Sequence, residues 1–313
     1  IYMRELTTHW TIEKPGAINT LNGLILNPMN QAQASKIALF GAADYSWNPN
    51  AFDVHKNWEE VFHRIADPGD TQTAEAIKCF ARFSNTLVED EEMITLYDNF
   101  MEKFGGESFP SEYTQLREEL DNLKQACTYI ETLKDSPYRD YKLMYEDVRC
   151  WNAKLKSIST IALDALDMLD HGNTMSRPEG WEKYLRLNEL YAMLETDSAY
   201  LVSALEGYGT TTRETFYKVK PADSHLKPFT DFLAGKISSG IPGLWPAKDN
   251  VQLITNIENL QGIDLSVQNE TIQLNGLSGL DLDKGEYVGI YLGNLEKISA
   301  EKISTGKAPR IER

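Results

Sequence analysis

Few side chains in this sequence are spaced for chemistry, and Asn27 is the one that its neighbours single out. Ile18, Leu21, Leu24 and Leu26, with Gly23 between, form a short apolar run that Asn27-Pro28 stops. From Asn30 the segment "NQAQASKIALFGAADYSW" carries Ala32, Ala34, Ala38, Gly41, Ala42 and Ala43. This order predicts a strand, a turn, and a helix whose small side chains let it lie close against a flat surface, usually a sheet. Asn27 would then sit where a strand's carboxyl end meets its loop, the rim from which α/β barrels project substrate-contacting groups. An amide both donates and accepts, which suits the vicinal hydroxyls of a sugar. An Asn-Pro turn that only ends a strand explains the same residues, and the residues alone favour that plainer account.

The densest carboxylate run, Glu89-Asp90-Glu91-Glu92, could serve acid–base work or a metal. It also opens a predicted helix, where acids favour the positive end of the dipole, so a solvated helix start is expected. Asp164, Asp167 and Asp170 recur at a spacing of three along one helical face. Without His or Glu partners in a readable pattern, an exposed face is expected there. The segment around Gly207 and Gly209 lacks the lysine of a phosphate loop and follows a helix instead of a strand. Asn269 opens an Asn-Glu-Thr glycosylation sequon, a tripeptide common by chance.

Cys79, Cys127 and Cys150 are too few and too scattered for a disulfide framework or a metal site, and read as buried free thiols. His9, His55, His63, His171 and His225 show no ligand spacing. No catalytic set, metal or cofactor is expected from these residues.

Composition narrows the partners. With 31 basic and 47 acidic residues the formal net charge is −16, which argues against nucleic acid or an anionic membrane as a main partner. No run approaches the apolar length of a membrane span. The 313 residues, 42% of them hydrophobic, suffice for two or three domains. Residue 1 is an isoleucine, and the chain is expected to be part of a longer one.

The elements change character along the chain. Residues 1–50 read as the strand–turn–helix unit, and 51–206 as helical throughout. Between Ser111 and Leu133, Tyr113, Leu116, Leu120, Leu123, Cys127, Ile130 and Leu133 recur at three and four, a seam for an antiparallel bundle. A long helix is expected from about Pro137 to Asp170 and another from Pro178 to Leu205 through Trp181, Leu185, Leu190 and Leu194. Residues 207–245 form a connector with a short helix. Residues 246–313 alternate apolar and polar residues between Asn/Gly/Asp turns, the texture of short strands.

Gly23 to Phe62, "GLILNPMNQAQASKIALFGAADYSWNPNAFDVHKNWEEVF", resembles the end of the catalytic barrel in glycoside hydrolase family 84. That family comprises β-N-acetylglucosaminidases, including bacterial enzymes called hyaluronidases and the O-GlcNAcases. The resemblance rests on Asn-Pro-Met, Ala-Ser-Lys-Ile-Ala and Ala-Asp-Tyr-Ser-Trp-Asn-Pro, in order, followed by Trp58. It implies a multidomain, mainly α protein: the last βα unit of an α/β barrel (1–50), an α-helical bundle (51–206), a connector (207–245), and part of a β-sandwich-like, discoidin-like carbohydrate-binding module (246–313).

The resemblance further implies hydrolysis of terminal N-acetylglucosamine, with the substrate's acetamido group as nucleophile and two neighbouring aspartates assisting. No Asp-Asp pair occurs in this chain. Catalysis therefore depends on a missing N-terminal catalytic barrel, and Asn27 is the one sugar-contacting position carried over. The segment before it, "IYMRELTTHWTIEKPGAINT", departs from the Trp- and Asn-rich loop expected ahead of that strand. The expected partners are N-acetylglucosamine-containing glycans, neutral ones ranking above hyaluronan because of the acidic charge. A secreted or cell-surface location is expected. The alternative is a non-catalytic, acidic helical interaction or adhesion module.

Overall fold

The computed structural model describes residues 3, 25–85, 90–105, 109–171, 175, 177–206 and 213–238, together with five short strands between residues 251 and 304. Eight α-helices dominate the described residues: α1 (Ala32–Trp47), α2 (Val54–Ile65), α3 (Thr71–Ser84), α4 (Glu91–Lys103), α5 (Tyr113–Thr132), α6 (Arg139–His171), α7 (Arg177–Met193) and α8 (Leu226–Ser238). The chain divides into two compact units, residues 1–163 with 189–232, and residues 164–188 with 233–313.

In the first unit, aspartates open successive helices. Asp53 accepts from the amides of His55 and Lys56 at the start of α2. Asp70 does so from Thr73 at α3, and Asp90 from Glu92 and Met93 at α4. Each carboxylate satisfies amides that the first turn cannot pair internally. Gly69, at φ +87°, makes the turn between α2 and α3 that a side chain would strain.

The expected seam along α5 is buried from Leu116 onward, with Leu116, Leu120, Leu123, Cys127 and Ile130 each at most 1% exposed, whereas Tyr113 at its start is half-buried. Val148, Trp151, Leu155, Ile158 and Ala162 of α6 are buried as the helical spacing requires. The buried Asn152 amide donates to the carbonyl of Cys127 (2.9 Å), tying α6 to α5. Beside this core, Tyr97 and Phe100 of α4 pack on Phe229 of α8, at ring separations of 4.9 and 5.6 Å.

The helix expected to reach Leu205 ends at Met193. Asp197 accepts from the amide of Ala199 (2.7 Å), and this local bond opens a short 3-10 turn in place of another helical one. Leu201–Glu206 then forms β1, paired antiparallel with β2 (Arg213–Lys218) in a hairpin that lies inside the expected bundle and connector. Side chains of α6 hold its base. Cys150 donates to Leu201 O (3.0 Å), Lys154 donates to Val219 O (3.0 Å), and the Ser157 and Tyr200 hydroxyls bond at 2.8 Å.

In the second unit Asp164 is not on an exposed face. Its carboxylate is 5% exposed and takes a two-pronged bond from Arg186, at 2.7 and 2.6 Å, with Lys183 at 3.8 Å. Lys183 also bonds Asp167 at 3.0 Å. These bases lie on α7, outside the aspartate-bearing helix, so a spacing rule applied along one helix missed them. The inward residues of α7 differ as well. Tyr184 and Leu187 are buried, whereas Leu185 and Leu190 are half-buried and the Trp181 side chain lies outside the described residues; Leu194, one residue past α7, is buried as expected.

The remaining strands form two small sheets. β3 (Val251–Ile254) runs parallel to β6 (Tyr287–Ile290). β4 (Asp264–Gln268) and β5 (Thr271–Asn275) make a hairpin that β7 (Lys302–Ser304) joins in parallel with β5.

Candidate functional site

Asn27 is solvent-exposed in the segment Ile25–Asn30, which leads directly into α1. Ile25 and Leu26, expected as the end of a strand, take no strand conformation and are 98% and 43% exposed. A strand end persists only where a neighbour pairs with it, and no described segment does so here. The rest of the expected strand, Ile18 to Leu24, lies outside the described residues.

The helix that follows Asn27 is itself anchored from elsewhere in the chain. α1 is rich in alanine, the best helix former, but its N-cap residue Gln31 makes no side-chain cap bond. The cap comes from α6. Asp147 Oδ2 accepts from the amides of Gln33 (2.6 Å) and Ala34 (3.3 Å), the second and third residues of α1. A carboxylate also suits the positive end of the helix dipole. Lys36 reaches Asp140 (3.3 Å), two turns earlier on α6, and Ser35 Oγ donates to Met29 O (3.4 Å) in the Asn27 loop.

Further along α1, Asp44 accepts from the buried Asn57 of α2 (3.0 Å), and the Tyr45 ring meets Phe52 edge-on. Ala34, Ser35, Ile37, Gly41, Ala42 and Tyr45 are buried, whereas Ala32, Lys36, Ala43 and Trp47 are exposed along the opposite side.

The sequence profile of the β-N-acetylglucosaminidase family matches residues 6–82, which hold the Asn27 loop, α1, α2 and most of α3. The fold is similar to the solved structures of CpGH84B and CpGH84D. CpGH84B matches at 21% identity and a TM-score of 0.52, over 69% of this chain and 34% of its own. CpGH84D matches at 22% identity and a TM-score of 0.54, over 68% of this chain and 34% of its own. The sequence likeness to the β-N-acetylglucosaminidases covers residues 6–82, and the likeness to the two solved structures is one of fold. The chain spans about a third of the length of those two solved chains.

The family match coincides with the Asn27 segment, and the other candidate groups have structural duties. Asp90 of the acidic run caps α4 and bonds Arg82 (3.0 Å), which also holds Glu119 of α5 (3.0 Å). Burial opposes the Arg82 charge, but its bonds to Asp90 and Glu119 outweigh it and raise the guanidinium's pKa. His55 and His63 are exposed on α2.

All three cysteines are free. Cys127 and Cys150 are buried and Cys79 is half-buried. Burial pushes the Cys79 thiol up to about 11, out of the reactive range near neutrality.

Among the described residues no group of three or more His, Cys, Asp or Glu side chains is arranged to hold a metal ion, and no helix is long and apolar enough to cross a membrane. Two open grooves lie elsewhere. One, of about 440 Å³, runs between α3 and α5 past Gln72, Cys79, Asn122 and Tyr129. The other, of about 760 Å³, runs between α1 and α2 past Phe40, Asp53 and His63. Neither is lined by Asn27.

Sequence reasoning missed Asp147. Nothing in "YEDVRC" marks it as a cap, but Gln31 in a position that favours Ser, Thr, Asp or Asn signalled that the cap must come from elsewhere.

Proposed function

We propose that this chain is the C-terminal portion of a β-N-acetylglucosaminidase that removes terminal N-acetylglucosamine from glycans or glycoproteins. The observation that carries the reading is the family match over residues 6–82, which contains the Asn27 loop and the helix that anchors it. In this reading residues 1–50 complete the wall of a catalytic barrel, the helical region braces it, and residues 246–313 belong to a carbohydrate-binding β-sandwich. The exposed Ile25, Leu26 and Trp47 (90% exposed) suit burial against the rest of that barrel. Such an enzyme acts on extracellular glycans, which fits a secreted or cell-surface protein.

The chemistry divides between the parts. The substrate's acetamido oxygen attacks the anomeric carbon, and a protonated carboxyl donates to the departing glycosidic oxygen. Water then opens the cyclic intermediate with retention of configuration. The aspartates that polarise the acetamido group and shuttle the proton belong to the barrel, since no Asp-Asp pair occurs here. Asn27 binds ring hydroxyls and holds the sugar in register with them, its carbonyl accepting and its amide donating.

In the full-length protein, Asn27→Ala should lower kcat/KM for a chromogenic N-acetylglucosaminide by roughly 10- to 100-fold, the effect of losing one or two hydrogen bonds to substrate. The exposed position predicts an unchanged unfolding transition. The present chain alone should release no leaving group above background. Hydrolysis by this chain alone, or unaltered kinetics in the Asn27→Ala protein, would refute the assignment. A full-length protein without hydrolytic activity would favour a non-catalytic interaction module.

A further inference from the structure

We infer that Asp147 is a positioning residue for the sugar contact: from α6 it supplies the N-cap that α1 lacks, and thereby sets where the Asn27 loop stands. The inference rests on the reading of Asn27 as a sugar-binding residue. The two amides bound by Asp147, on the second and third residues of α1, are those that a cap side chain at Gln31 would take. Asn27 lies four residues before Gln31, so the orientation of this first turn passes into the loop along a short stretch of chain.

Two other ties between the loop, α1 and α6 are weaker. Lys36–Asp140 is an exposed pair, at 45% and 64% side-chain exposure, and such pairs add little. The Ser35–Met29 bond is long at 3.4 Å. The 2.6 Å bond from Gln33 N to the Asp147 carboxylate is short and charge-assisted. Asp147 is separated from Gln33 by 114 residues, so the helical region, and not the local sequence, fixes the approach to Asn27.

A second-site cap separates this role from general stabilisation. Gln31 has φ −79° and ψ 88°, close to the φ −84° and ψ 72° of Asp70, which caps α3 with its own carboxylate. Gln31→Asp can therefore cap α1 locally. In the full-length protein, Asp147→Ala should speed hydrogen exchange at the Gln33 and Ala34 amides about tenfold. It should also raise KM for a chromogenic N-acetylglucosaminide roughly three- to tenfold, with kcat changed much less. Adding Gln31→Asp to Asp147→Ala should restore both readouts.

Unchanged exchange in Asp147→Ala would overturn the capping role. Restored exchange with KM still raised would overturn the link from the cap to the sugar. If the unmodified full-length protein hydrolyses nothing, the Asn27 reading falls and the sugar link with it, while the exchange measurements still decide whether Asp147 caps α1.

Discussion

Tyr141→Phe removes one oxygen from a junction that binds three helices. The Tyr141 hydroxyl donates to Asp70 Oδ2 (2.8 Å) and accepts from the Asp67 amide (2.7 Å). Asp70 in turn caps α3 through the amide of Thr73 (3.0 Å) and takes the Thr73 hydroxyl (2.7 Å), which also meets Tyr129 of α5 (2.9 Å). Tyr141 is 5% exposed, so water cannot readily replace the lost group.

A bond to a charged acceptor contributes about 1.5–3 kcal/mol and an orphaned amide costs about 1–3, so a loss of roughly 2–4 kcal/mol is expected near neutral pH. Burial, reinforced by the bond to Asp70, pushes the Tyr141 phenol up to about 12. The folded state thus holds that proton more tightly than the unfolded one. Its stabilisation is complete below the unfolded value of about 10 and fades as pH rises towards 12. Asp70 behaves oppositely. Burial raises its pKa, but the bonds from Thr73 and Tyr141 outweigh it, so its stabilisation is lost as pH falls below the ordinary carboxylate range.

Urea unfolding of the wild type and Tyr141→Phe across pH measures the difference directly. The gap should be widest near neutrality and narrow above about pH 10. A neutral-pH gap under about 0.5 kcal/mol, or one that stays constant up to about pH 11.5, would refute the reasoning.

Two further tests address other parts of the chain. Arg186→Met takes the two-pronged bond from buried Asp164, leaves Lys183 at 3.8 Å as its cation, and should cost about 1.5–3 kcal/mol in chemical denaturation, more than Asp164→Leu/Arg186→Met, which removes both members of the pair. A thiol reagent at neutral pH should modify Cys79 slowly, because burial holds its thiol near 11, and should reach Cys127 and Cys150 only on unfolding; rapid labelling of all three would contradict the packing of α5 and α6.

The helices were legible because their burial follows one period. The α5 seam and the buried face of α6 follow from spacing alone, and the acidic run at Asp90 does open α4 as expected. The hairpin was not legible, because Leu201 to Glu206 continues a helix-compatible composition and only Asp197 and the partner strand divert it. The burial of Asp164 was hidden for a related reason: its bases lie on α7, a different helix, so the periodicity of α6 carries no information about them. Asn27 was proposed from its turn and from the family pattern around it. Its anchor was not, since a cap supplied from 114 residues away leaves no local mark except an unsuitable residue at position 31.

The same separation explains how α1 can serve two surroundings at once. Its small residues were expected to form one face against a sheet, but they divide: Ala34, Gly41 and Ala42 are buried, whereas Ala32 and Ala43 are exposed with Lys36 and Trp47 at helical spacing. A helix held by a local cap could rotate between two neighbours of similar affinity. One whose first turn is bonded to Asp147, and whose later turn is bonded through Asp44 to Asn57, has its rotation set by α6 and α2. The outer stripe is then presented in one orientation, and the Asn27 loop leaves the helix at a fixed angle. The sugar contact proposed for Asn27 would depend on such a constraint, because misplacing a substrate-binding group by about 1 Å can cost on the order of a hundredfold in rate.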